Sequence, residues 1–151
     1  MTAPDTSTDN AGLEILSRDE CLRLLAAAPL GRIVFTQNAL PAVQPVNFAV
    51  RDTDIVIRTS PDSRLASATR DTVVAFEVDD FDADGRTGWS VTVLGNGRAV
   101  TDPEERAELE RLPLDSWAPG DRSHFICVET KVITGRRIPE GAADGAAESG
   151  G

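Results

Sequence analysis

Tyrosine is missing from this 151-residue chain, histidine occurs once, as His124, and cysteine twice, as Cys21 and Cys127. A single histidine removes most metal sites and most histidine-based catalysis, so redox or group-transfer chemistry would be borrowed from a cofactor. The two cysteines lie far apart, which suggests neither a zinc site nor a dithiol redox motif. Basic charge is also short. One lysine, Lys131, stands beside fourteen arginines against 25 acidic residues, for a formal net charge of −10. A nucleic-acid binder needs a basic stripe for phosphates, and none is present. A small anionic ligand stays compatible, because its site needs only two or three local donors. No apolar run approaches the ~20 residues of a membrane span, and the polar N-terminus lacks the basic start and hydrophobic stretch of a signal peptide. The chain therefore reads as a cytoplasmic protein with reduced thiols, bound to neither membrane nor nucleic acid.

Large aliphatic residues are missing from both ends. Residues 1–12 and 139–151 hold no aliphatic residue larger than alanine beyond Met1, and five of the ten net negative charges (Asp5, Asp9, Glu140, Asp144, Glu148) fall there. Such segments cannot bury enough surface to offset their ordering entropy, so both read as disordered tails whose removal should leave stability unchanged. Residues 13–138 remain as one domain.

Within that body the hydrophobic period sets the elements. Ser17 and Glu20 form a capping-box signature, with Leu16 placed to staple onto Cys21, and open a helix over about 18–28. The period then switches to two. Strands are expected at 31–37, 42–51, 54–59, 72–78, 89–101 and 123–134. Pro45 demotes the second to an edge or bulged strand. Short helices are expected at 61–69, with Ser60 as cap and Pro61 first inside, and at about 103–111 after Asp102-Pro103. Residues 79–88 read as an acidic loop of solvated charge rather than a calcium loop, since no closing glutamate follows. Gly95-Asn96-Gly97 is either a hairpin turn or a bend in one long strand. The fold class is α+β, mainly β: an antiparallel barrel or sheet of about six strands with short flanking helices.

Chemistry concentrates at Arg58-Thr59-Ser60-Pro61-Asp62-Ser63-Arg64. A strand running into a helix start offers unpaired N–H groups, surrounded here by hydroxyls and two guanidiniums that suit a phosphate. A capped helix with surface ion pairs is the other reading. No glycine-rich loop followed by Lys-Ser/Thr is present, so a nucleoside-triphosphate loop is excluded. His124, at a strand start, reads as an ordinary exposed or hydrogen-bonded side chain rather than a catalytic one.

The ordered series LGRIVF, LPAVQPVNFAV, DIVIRTSPDSRLAS, TVVAFEVDDFD, GWSVTVLGNGRAV and FICVETKVITGRRI resembles the pyridoxamine 5'-phosphate oxidase-like family, the FMN-binding split β-barrels. The resemblance spans about residues 13–138 and is strongest to short actinobacterial members. It implies a split barrel in which 95–97 is a bend, and an FMN phosphate held at Arg58, Thr59, Ser60, Ser63 and Arg64. It also implies a flavin ring beside the backbone of Gln44, Pro45, Val46 and Asn47, with Trp89 and Ser90 approaching it near a homodimer interface. The apolar face around Val46, Phe48, Val50, Trp89 and Val91 is expected to pair with the second copy.

Departures are also visible. The oxidase proper has an Arg-Lys pair where this chain has Arg64-Leu65, and a glutamine where it has Ser90. Its C-terminal substrate-binding segment has no match here, and Arg136 and Arg137 have no assigned role. The resemblance thus implies the cofactor rather than the reaction. An FMN-dependent oxidoreductase acting on a small-molecule substrate or electron donor is the leading expectation. A deazaflavin-dependent reductase on the same fold, or a non-enzymatic flavin- or haem-binding protein, is the alternative.

Overall fold

A computed structural model describes residues 7–117 and 120–139. The expected tails fall largely outside this range, at 1–6 and 140–151. The elements run β1 (Glu14–Ile15), α1 (Arg18–Ala27), β2 (Gly31–Gln37), β3 (Leu40–Val46), β4 (Phe48–Arg51), β5 (Asp54–Thr59), α2 (Arg64–Ala68), β6 (Val73–Asp82), β7 (Thr87–Ala99), α3 (Pro103–Glu110) and β8 (His124–Arg137). All pairings are antiparallel, in the order β3-β2-β6-β7-β8-β5-β4, with β1 added to β8. The sheet is not closed by hydrogen bonds: β3 and β4 are its two edges, although they follow one another in the chain. Among the described residues no helix is long and apolar enough to cross a membrane.

Eight strands replace the expected six, because β1 is added against β8 and the 42–51 segment divides in two. The 42–51 segment breaks at Asn47, whose amide donates to Pro29 O (3.4 Å) and accepts from Trp117 N (2.8 Å). The residue is held by neighbours outside the ladder. Most of the expected acidic loop at 79–88 is strand, because the β6–β7 ladder continues to the Asp82–Thr87 pair and leaves only 83–86 as the turn. Gly95 and Gly97 lie within one long strand, with a register shift between Leu94 and Gly95. Close backbone approach explains both glycines. A Cβ on Gly95 would stand 2.0 Å from Glu129 O, and one on Gly97 2.2 Å from Thr69 O. Because the obstructing atoms are main chain, Gly97→Ala is expected to cost about 3 kcal/mol, measured as a lower denaturant midpoint at unchanged slope.

Alternation fixes the core. Ile33, Phe35, Phe76, Val91 and Val93 point inward, joined by Leu25 and Cys21 from α1. Phe48 packs edge-on against Phe76 at 4.7 Å. Strands β5 and β8 are covered on both faces, which is why Ile55-Val56-Ile57 and Phe125-Ile126-Cys127 read as unbroken apolar runs. Their second face carries Val56, Phe125 and Cys127 against Leu109 of α3 and Leu114.

Ser17 caps α1 as expected, accepting from Glu20 N. The Glu20 carboxylate itself reaches Arg137 (2.8 Å) as well as Arg23. Asp102 caps α3, with Pro103 first inside. Glu105 on α3 joins Arg51 (2.6 Å) and Arg98 (2.7 Å), and these guanidiniums hold its carboxyl down to about 2. A folded value below the unfolded one stabilises above about pH 4.5, and the contribution disappears as pH falls toward 2. After solvent screening we expect Glu105→Gln to remove about 1–2 kcal/mol at neutral pH and to flatten acid denaturation over that window.

Residues 7–12, expected without structure, form a turn on Asp9. Its carboxylate accepts from Ala11 N and Leu13 N and pairs with Arg136 at 3.1 Å. Polar contacts order this segment where apolar ones are lacking. Removal of residues 1–12 is therefore expected to lower the melting temperature, and Asp9→Ala to reproduce part of the loss.

Much of the apolar face expected to pair with a second copy is buried within the protomer. Val46 and Phe48 are 8% exposed and Val91 is fully buried, so these side chains are used within the protomer's own core. Exposed apolar surface lies on the opposite face of the sheet. One cross-strand row there runs Val43, Val34, Ala75, Leu94, Val132 over five adjacent strands. Val43, Leu94 and Val132 in this row are 61%, 43% and 49% exposed.

Candidate functional site

Strand β5 delivers Thr59 to its end and α2 begins at Arg64, so the expected phosphate residues surround one turn. The helix starts later than expected. Ser63, not Ser60, is its cap, and Pro61 belongs to the turn that Ser63 N closes onto Ser60 O at 3.1 Å. Ser60 instead accepts from Asp62 N within the turn (3.4 Å).

The hydroxyls here are committed in a particular sense. Thr59, only 4% exposed, donates its proton to Ser63 Oγ at 3.0 Å. Ala66 N donates to the same oxygen at 3.0 Å. Ser63 Oγ thus caps α2 and is tied to Thr59, which fixes the hydroxyl at the turn where an anion could meet it. Arg64 stands beside it, exposed, and borders an open groove of about 440 Å³ whose other wall is the β2–β3 turn, Gln37 to Ala42.

Arg58 does not join this group. Alternation along β5 puts it on the face opposite Thr59, over its ladder partner Phe125, with Cζ 4.9 Å from the ring centroid. Its Nε donates to Arg122 O at 3.1 Å. The sequence placed the two guanidiniums side by side; the two-residue period of a strand separates them. Nevertheless, Arg58, Arg64 and Arg70 have no carboxylate partner among the described residues. In a chain of net charge −10, that leaves the strand-to-helix segment locally positive.

His124 gains a place the sequence did not suggest. It is the ladder partner of Thr59, so it sits next to the hydroxyl pair, with its Nε2 buried and unpartnered. Burial, with Arg70 and Arg106 nearby, holds the imidazole below its usual range and so favours the neutral form. The signal that could have found it is register, which a single sequence does not carry.

The other expected residues follow from the same hairpin. Gln44 to Val46 continue along β3, whose outer edge has no ladder partner. Gln44 and Pro45 are exposed, Val46 turns its side chain into the core, and the Asn47 amide is occupied as described. Only main-chain atoms of Val46 and Asn47 remain for a ligand. Trp89 and Ser90 reach this end of the sheet through β6. Ser90 pairs with Asp79, while Trp89 closes an open groove of about 420 Å³ with Leu30, Gly31 and Arg32. Gly31 in turn pairs with Val46. Ala42 to Asn47 spans roughly 16 Å at about 3.3 Å per residue. The hydroxyl turn thus lies at one end of an open strand edge and Trp89 at the other. Both grooves are open to solvent.

The profile of the pyridoxamine 5'-phosphate oxidase family matches residues 17–137. An uncharacterized protein of Mycobacterium tuberculosis is 43% identical over 128 residues, covering 82% of this chain and 84% of its own length. The solved structure of an FAD-binding protein from Mycobacterium smegmatis superposes with a TM-score of 0.71 at 40% identity, over 82% of this chain and 97% of that one. A protein of Corynebacterium glutamicum, provisionally named a pyridoxamine 5'-phosphate oxidase, gives a TM-score of 0.74 at 32% identity, over 87% and 96%.

Proposed function

The chain belongs to the pyridoxamine 5'-phosphate oxidase family, and from that premise we propose that it is a cytoplasmic, homodimeric FMN-binding oxidoreductase. The observation that carries this reading is the turn at the end of β5, where the Thr59–Ser63 hydroxyl pair stands beside an exposed Arg64 that has no carboxylate partner among the described residues and borders the groove at the β2–β3 turn. Ser60, Ser63 and Arg64 would hold the phosphate, with Thr59 fixing Ser63 from behind. The backbone of Gln44, Pro45, Val46 and Asn47 would run beside the ring, with Trp89 and Ser90 at its far end. Arg58 is left out of the phosphate contacts because it faces Phe125.

Bound flavin would supply hydride and electron transfer, while the protein supplies position and charge. The chain's own contribution is to orient and to exclude water. Asp79 and Asp80 line the groove at Trp89, and the redox chemistry itself would be carried by the cofactor. The departures at Leu65 and Ser90 from the oxidase proper weigh against pyridoxamine phosphate as the substrate.

A second copy would complete the site. One protomer offers half-open grooves and a five-strand apolar row, and such surface normally pairs across a two-fold axis. Titration of FMN against riboflavin tests the reading. FMN is expected to bind at least tenfold tighter because only it carries the phosphate; equal affinities would remove the phosphate site.

A further inference from the structure

Beside the apolar row on the outer sheet face, two carboxylates compete for one guanidinium. Nη1 of Arg32 lies 2.8 Å from Asp79 Oδ2 and 3.3 Å from Glu77 Oε1. The glutamate and aspartate side chains are 30% and 28% exposed. Register fixes where they sit. Arg32, Glu77 and Thr92 form one cross-strand row with Pro45 and Thr134, a single pleat away from Val43, Val34, Ala75, Leu94 and Val132. Any body that covers the apolar row also covers this cluster.

We propose that the Arg32–Glu77–Asp79 cluster makes self-association through this face depend on pH, favouring the dimer when one of the two carboxylates holds a proton. The inference rests on the homodimer proposed above. With both carboxylates ionised each protomer carries one uncompensated negative charge on the face, and a two-fold interface would bury two of them. With one proton bound, each cluster is neutral. A carboxylate taken from water without a compensating partner is costly, whereas a neutral, hydrogen-bonded cluster is not.

Other groups facing Glu77 do not alter the balance. From β2 comes Arg32 and from β6 itself Asp79. Strand β7 offers only the neutral Thr92 and Ser90, and β3 Pro45 and Val43. From β8 come Thr134 and Arg136, the latter already paired with Asp9. Burial and the adjacent Asp79 push the Glu77 carboxyl up to about 7, against the pull of Arg32. Covering the face would raise it further, so dimer formation takes up protons. Stabilisation from this source is complete below about pH 7 and is lost as pH rises through the dimer's higher value. Two sites per dimer set a limit of about 100-fold in dissociation constant per pH unit within that window.

Sedimentation equilibrium of the full chain from about pH 6 to about pH 9 tests this. For the native protein the dissociation constant should be flat below about pH 7 and rise at least tenfold above it. Glu77→Gln should hold the low-pH value throughout. Asp79→Asn should also lose the dependence, since Glu77 then has Arg32 to itself; circular dichroism checks the fold of both. A native dimer equally tight at both ends of the range, or a Glu77→Gln dimer that still loosens with pH, would overturn the switch while leaving the homodimer intact. A native monomer at every pH would overturn the homodimer and the switch together.

Discussion

Leu94→Asp is expected to turn the protein into a monomer. Leu94 stands in the exposed row between Ala75 and Val132, and is 43% exposed in the protomer. Its side chain contributes little to the protomer's own core, so the fold should survive. In a two-fold interface the residue counts twice. Losing about 2 kcal/mol of apolar burial at each copy weakens association by about a thousandfold, before the cost of burying a new carboxylate. Light scattering should report the monomer mass, with circular dichroism unchanged. Phe48→Ala offers the contrast. Phe48 packs on Phe76 inside the protomer, so its loss should cost about 3–5 kcal/mol of folding stability. If Leu94→Asp stays dimeric, the interface lies elsewhere.

The second large effect concerns the phosphate turn. Arg64→Ala removes a charge-assisted contact worth about 1.5–3 kcal/mol and should weaken FMN binding by roughly 10- to 150-fold. Ser63→Ala should also weaken it, and in addition deprive Thr59 of an acceptor and Ala66 N of its cap. Riboflavin should be indifferent to Arg64→Ala. Arg58→Ala should lower stability by about 1 kcal/mol, through the lost contact with Phe125, without discriminating between the two ligands. Arg111, exposed at the end of α3, is the appropriate control, since Arg70 lies close enough to His124 to influence it. Equal losses for FMN and riboflavin in Arg64→Ala would make Arg64 a structural residue.

Much of this architecture was legible in the order of elements. Pro45 announced an edge strand, Asp102-Pro103 a helix start and Ser17 a cap, because each acts on its own backbone or on neighbours a few residues away. The whole-body pattern supported the family, and the profile match over residues 17–137 agrees. What failed depended on distant partners. Arg58 and Arg64 are close in sequence, yet β5 sends Arg58 to the Phe125 face. Val46, Phe48 and Val91 looked like surplus apolar surface until the sheet curled and Phe76 and α1 covered them. The outer row could not be read from sequence, because each of its five strands contributes one residue and only the register aligns them. The Asp9 turn was missed for another reason: composition described the tail, but one carboxylate accepting two N–H groups and an arginine orders it.

The most direct test of the account is the visible spectrum of the freshly purified full chain, with mass analysis of the small molecule that heat releases. The account predicts a flavin spectrum and a released flavin phosphate, about one per protomer. A haem or deazaflavin spectrum, or a colourless protein that takes up no FMN when supplied with it, would contradict it.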